Sequence, residues 1–191
     1  MCAALWLAAV RTPSAETGAA TFQLDPEHTT VAFLVPHIGY AKVLGQFGSV
    51  EGSYVFDAAT SELSAVRVVV QTASVSTNHA ARDRHVKSGD FLNAEKFPRM
   101  TFTAASARRT GEHTFDVEGE LELLGKPHPL TLHATVNKSA DYPIGDKAYV
   151  MGVSARGFLK RSDYGMTYAV DNGWVADDVE IVVEFEARKH Q

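Results

Sequence analysis

The segment Arg82–Pro98, RDRHVKSGDFLNAEKFP, crowds five charges around His85 and then sets Phe91, Leu92 and Phe97 beside Asp90 and Pro98. Carboxylates close to an imidazole are the raw material of proton transfer. Asp83, Asp90 and Asp163 could act as acid and base only if the fold brings them together. Taken singly they read as caps, turn residues and ion-pair partners. No G-x-S-x-G nucleophile elbow is present, and no residue is assigned a catalytic role.

Metal chemistry is equally poorly supplied. Of eight histidines, His79 and His85 stand six residues apart, off a common helix face. His128 and His133, five apart, would face opposite sides of a strand. There is no HExxH or CxxC, and Cys2 is the single cysteine, so neither a thiolate site nor an intrachain disulfide is available. No metal site is expected.

Two polar residues lie on otherwise apolar rows. Val31, Phe33, Val35 and His37 share one parity, which puts the imidazole at the inner end of a dry row. It reads either as a core histidine bonded to backbone or as a polar contact for a ligand head group. Arg161 continues the parity of Tyr149, Met151, Val153, Ala155 and Leu159, ahead of Ser162-Asp163-Tyr164-Gly165-Met166. An inward guanidinium needs a carboxylate or an anionic ligand. Asp83, Asp90 and Asp163 complete a set of rim ion-pairing candidates with Arg161.

The elements that would position these groups are strands. From Phe115 to Leu123 every odd position is apolar or Gly and every even one acidic, which gives one dry face and one wet face. Leu130–Val136 and Val179–Phe185 repeat the pattern, with Val182 as an exception. The same period marks Thr29–His37, Val43–Phe56, Val66–Val75, Arg99–Ala107 and Tyr149–Arg161. Together these make about eight strands, the second bent at Gly45, Gly48 or Gly52. Short polar connections imply antiparallel neighbours. Ala80–Ser88 reads as a short helix capped by Thr77 or Asn78 and stopped by Gly89. Such a sheet buries its apolar face as a sandwich or as a closed barrel.

A chain of 191 residues, 45% hydrophobic, is long enough for one domain with a large core. A formal charge of −5 excludes the basic footprint of a nucleic-acid binder. The apolar run Cys2–Val10, with small residues up to Ala19-Ala20, reads as a secretory signal remnant or disordered tail over residues 1–20. It is too short to cross a membrane as a helix.

LDPEHTTVAFLVPHIGYAKVLGQF at Leu24–Phe47, RDRHVKSGDFLNAEKFPRMTF at Arg82–Phe102, VEGELELLGKPHPLTL at Val117–Leu132 and RSDYGM at Arg161–Met166 together resemble the YceI-like family of lipocalin-like polyisoprenoid-binding proteins. The resemblance spans roughly Thr21 to Arg188. It implies an all-β, eight-stranded antiparallel barrel over residues 21–191, with one short helix at one end. It also implies an internal channel for an isoprenoid quinone, a polyprenyl compound or another long-chain lipid, and a periplasmic or secreted location. Pro36 and Leu34 fall on outward positions, so a barrel imperfectly closed at Pro36 is expected.

By parity the channel lining is Phe33, Val35, Phe47, Phe102, Leu121, Leu123, Leu132 and Met151, with Phe91, Leu92 and Phe97 from the lid and His37 and Arg161 as polar contacts. His85 is expected on the surface or as a cap. The expected function is binding or carriage of an apolar small molecule without catalysis, needing no cofactor and no nucleic acid, with a homodimer left open. The alternative is an enzyme acting on a lipid or quinone head group through His37, Asp83, Asp90 and Arg161, which requires those groups within hydrogen-bond reach of one another. An interaction module would instead expose a large apolar patch.

Overall fold

The computed structural model describes residues 18–190. Its strands are β1 (Ala19–His37), β2 (Ala41–Phe47), β3 (Val50–Asp57), β4 (Glu62–Gln71), β5 (Val75–Ser76), β6 (Arg99–Ala104), β7 (Arg108–Arg109), β8 (Thr114–Leu123), β9 (Lys126–Asp141), β10 (Tyr149–Lys160) and β11 (Asp178–Lys189). One helix, α1 (Ala80–Lys87), follows β5. Eight strands pair antiparallel in the order β1-β3-β4-β6-β8-β9-β10-β11, and β1 pairs with β11 to close the ring. Closure settles the choice between sandwich and barrel.

The bent second strand is present as β2 and β3. β2 pairs with the upper half of β1, and after a break at Gly48-Ser49 β3 pairs with its lower half. β1 itself is longer than its alternation suggests. Asp25-Pro26-Glu27-His28 form a bulge where the β1–β11 register shifts between Leu24 and Thr29. The extra residues break the period of two, which conceals the strand below Thr29. Ala19 and Ala20 already pair with Asp57 and Phe56, while the remainder of the expected N-terminal signal, up to residue 17, lies outside the described residues.

Imperfect closure at Pro36 is not what the structure has. Pro36 stands just past the last β1–β11 pair, Leu34 with Glu180, and its carbonyl accepts the Ala176 N–H (3.0 Å). A proline lacking an N–H is harmless at a strand end. β9 runs on to Asp141, and a turn closed by Tyr142 N–H to the Ala148 carbonyl leads into β10.

The strand directions place the β1–β2 hairpin, α1, the β8–β9 turn and the β10–β11 loop at one end. At the other end Phe22, Leu24, Tyr54, Met151, Val153 and Ala187 pack as a buried plug. Phe22 stacks on Tyr54 at 5.3 Å between centroids, and the Tyr54 hydroxyl donates to Met151 Sδ (3.4 Å). Burial drives the Tyr54 pKa upward. The barrel thus has a floor and an open end.

Candidate ligand channel

Between floor and open end lies a cavity of about 450 Å³, within the range of small-molecule sites. Its walls are the inward parities of the strands. Phe33, Val35, Phe47, Phe102, Leu121, Leu123, Leu132 and Met151 all line it, as do Phe91, Leu92, His37 and Arg161. Among the described residues no carboxylate, serine, cysteine or lysine contributes to the lining. The cationic and imidazole groups, Arg82, His85, Arg161 and His37, belong to elements at the open end.

Inward glycines help keep the lumen open. Phe33 pairs with Gly45, and Phe102 lies over Gly119 on the strand beyond. Each large ring occupies the place of the missing Cβ and lies against the wall instead of projecting across the channel.

Phe97 is a correction. It does not line the cavity but packs on the outer side, where a Cβ on Gly125 would touch its ring at 3.0 Å and Lys96 Nζ lies 5.2 Å from the ring centroid. The cause is a turn after Leu92. Asn93 adopts left-handed backbone (φ 42), and the Lys96 and Phe97 N–H groups donate to its carbonyl. The chain is thereby reversed, and Val86 and Met100 line the cavity at this end instead.

The rim ion pairs are a second correction. Arg161, only 2% exposed, meets no carboxylate within salt-bridge reach among the described residues. Its guanidinium donates to the carbonyls of Ala176 (2.8 Å), Met166 (2.9 Å), Tyr168 (2.8 Å) and Val175 (2.7 Å). Four backbone acceptors replace the expected anion, and the planar fork suits that arrangement. Burial pulls the Arg161 pKa down, with Asp177 opposing. The residue clasps the loop from 161 to 177 across the open end, with Cζ 5.7 Å from the Phe91 ring centroid.

The acidic candidates are engaged elsewhere. Asp83 Oδ1 accepts both the N–H and the hydroxyl of Thr77 (2.6 Å each). Arg82 also donates to Thr77, to its hydroxyl (2.8 Å) and its carbonyl (2.7 Å). Thr77 therefore does not cap α1, and Asn78 sits at φ 60. The cap is His79, whose Nδ1 accepts the Arg82 N–H at 3.3 Å. Asp90 pairs with His85 (2.8 Å), and Asp163 lies exposed in the turn after β10.

A family model for the YceI-like domain matches residues 22–187. Protein YceI of Salmonella arizonae is 37% identical over 170 residues, covering 88% of this chain and 86% of that protein. Among solved structures, a Campylobacter jejuni YceI protein superposes with a TM-score of 0.71 at 28% identity, over 82% of this chain and 90% of that one. A polyisoprenoid binding domain from Saccharophagus degradans shares the fold at 14% identity, with a TM-score of 0.66 over 91% of this chain and 100% of that domain. The chain belongs to the YceI-like family.

Within this YceI-like barrel the four resembling segments have distinct places. Leu24–Phe47 builds one wall, Val117–Leu132 the wall across from it, Arg82–Phe102 the lid and the start of the wall strand β6, and Arg161–Met166 the start of the clasped loop. What periodicity missed lies mostly in loops. Ile38, Tyr168, Trp174 and Val175 line the open end, yet they carry no alternation to reveal them. His85 is not merely superficial: it lines the cavity edge-on to both Phe91 and Tyr168, 5.0 Å from each centroid. Asp25, His28 and Glu186 also gather, their ligand atoms within 4.8 Å, but at the β1 bulge outside the channel.

Proposed function

We propose that this YceI-like protein binds an apolar isoprenoid or long-chain lipid in its channel and carries or sequesters it without turnover. The observation that carries the reading is a one-ended lumen lined almost wholly by hydrocarbon. A lipid tail recovers about 0.8 kcal/mol per buried CH₂, so one isoprene unit offers roughly 3–4 kcal/mol as an upper bound. The tail lies towards Tyr54 and Met151. The polar end lies at the mouth, where the His37 and His85 imidazoles favour acceptor oxygens such as those of a quinone, alcohol or carboxylate, and the engaged Arg82 and Arg161 add positive charge. That the fold is shared with a polyisoprenoid binding domain supports the same class of ligand.

The head-group enzyme reading finds less support. Asp83 is spent on Thr77, Asp90 on His85 and Arg161 on backbone carbonyls, so these groups and His37 do not converge as a proton-transfer set. The apolar Cys2–Val10 run supports a periplasmic or secreted location, which N-terminal sequencing of the mature chain tests. Native mass spectrometry of protein purified from cells tests the function. A co-purifying lipid released on denaturation is the expected result, and persistently ligand-free protein that takes up no added polyprenol overturns it.

A further inference from the structure

Eight large apolar side chains are exposed among the described residues, and they are not scattered. Ile144 and Tyr149 stand at the floor end. Ile38, Tyr40, Leu44, Phe158, Tyr168 and Trp174 all stand at the open end. Ile38 and Tyr40 belong to the hairpin between β1 and β2, with Tyr40 91% exposed. The Ile38 N–H donates to the Trp174 carbonyl (2.8 Å), which joins that hairpin to the clasped loop. Leu44 and Phe158 lie on the outer wall just below. The pairs Phe158 with Glu180, Glu180 with Leu34 and Leu34 with Leu44 form one row across four strands. Phe158 is two residues short of the end of β10 and Leu44 three inside β2, so the row lies within about 10 Å of the rim at the usual strand rise.

Ile38 sits at φ 51, a left-handed conformation that costs a β-branched residue and that Asn or Gly fills without strain. A bulky hydrocarbon at the turn's tip is a poor choice for folding alone. Ile38, Tyr168 and Trp174 also line the lumen, so the exposed apolar surface runs without interruption into the channel. Charges at the level of the row are paired, Lys42 with Glu180 (2.8 Å) and Lys160 with Asp178 (2.9 Å).

We propose that the open end docks on the surface of a lipid bilayer. Tyr and Trp seat at the head-group boundary and Ile38, Leu44 and Phe158 go slightly deeper, a penetration within the ~5–10 Å of interfacial elements. This rests on the lipid-binding reading: an apolar ligand then passes between bilayer and channel without crossing water. A second copy seated on the same collar would cover the opening through which ligand must pass, which favours the bilayer as occupant.

The test is flotation of the full-length chain with phosphatidylcholine vesicles, alongside a Tyr40→Ser, Leu44→Ser, Phe158→Ser triple variant whose altered residues do not line the channel. At least a tenfold loss of vesicle-bound variant is expected, with uptake of a micelle-solubilised polyprenol retained. In a Trp6→Phe background, Trp174 emission should shift to the blue on adding vesicles. Absence of flotation, equal flotation of the variant, or a wild-type dimer that the triple variant splits by light scattering overturns the proposal. Flotation that the variant loses, in a wild type that takes up no polyprenol, overturns the carrier reading and leaves docking standing.

Discussion

The ring of Phe33 covers Gly45 so closely that a Cβ at residue 45 would stand 2.2 Å from the ring's Cζ. Phe102 repeats the arrangement on Gly119, where the corresponding distance is 2.5 Å. At Gly45 the three nearest atoms all belong to the Phe33 ring, so a larger residue makes the ring leave the wall, and the space beside it is the lumen; at Gly119 the Thr103 carbonyl oxygen is nearer still, at 2.4 Å, and the backbone would have to shift as well.

Gly45→Val should therefore narrow the channel from within. Overpacking of this kind costs about 1–3 kcal/mol, which lowers Tm by a few degrees for a domain of this size. Affinity for a fluorescent fatty-acid probe should fall roughly tenfold while the circular dichroism remains that of a barrel. A folded variant with undiminished affinity would contradict the role assigned to Phe33.

Phe91→Asp places a carboxylate in the apolar throat beneath His85 and Tyr168. Because Phe91 is only half-buried, the barrel should survive. A hydrocarbon tail cannot enter past a charge it would have to desolvate. Loss of lipid uptake by the folded variant, read by native mass spectrometry, is expected; unchanged uptake would remove Phe91 from the entry route.

Arg161→Ala deprives four carbonyls of one donor group. The loss is roughly 3 kcal/mol, hence a Tm fall of about 6–12 °C, with amide exchange accelerated over residues 161–177. Arg161→Lys should recover little, because an ammonium cannot span the same fork. A variant with wild-type Tm would show that the clasp contributes nothing.

Acid should loosen the lid and the clasped loop. Thr77's hydroxyl and N–H hold the Asp83 pKa below the ordinary carboxylate value. Burial would raise that of Asp177, but hydrogen bonds from the Ser162 N–H and hydroxyl outweigh it and leave the value lowered. A depressed folded pKa stabilises above the unfolded value near 3.9 and loses that stabilisation as pH falls through the folded one. Tm measured from pH 6 down to pH 2 should hold until about pH 4 and then decline, less steeply in Asp83→Asn. A variant that declines as steeply as wild type would remove Asp83 from the acid response.

The walls were legible because a strand with one wet side writes its geometry into the sequence. Leu121 and Leu123 point inward by parity and line the cavity. Phe97 misled because Asn93 reverses the chain by a backbone conformation that composition does not announce. Arg161 was rightly placed inward, but its partners are backbone carbonyls, which every residue carries and no pattern marks. Trp174 and Tyr168 were invisible for a related reason: loop residues gain their place from the clasp and not from a repeat. Leu34 looked misplaced on an outward position until Leu44 and Phe158 stood beside it.

The pairing of β1 with β11 joins the first described strand to the last. Every other wall can form from neighbours in the chain, but this seam waits for residues 178–189 to arrive, which makes closure a late and slow step in folding. Until then the future lumen is an open, wetted sheet. On the proposed carrier reading, a ligand therefore has no chamber to enter during synthesis and is acquired by the finished barrel. A chain truncated before residue 178 would lose the whole chamber, not one wall strand's eighth of it.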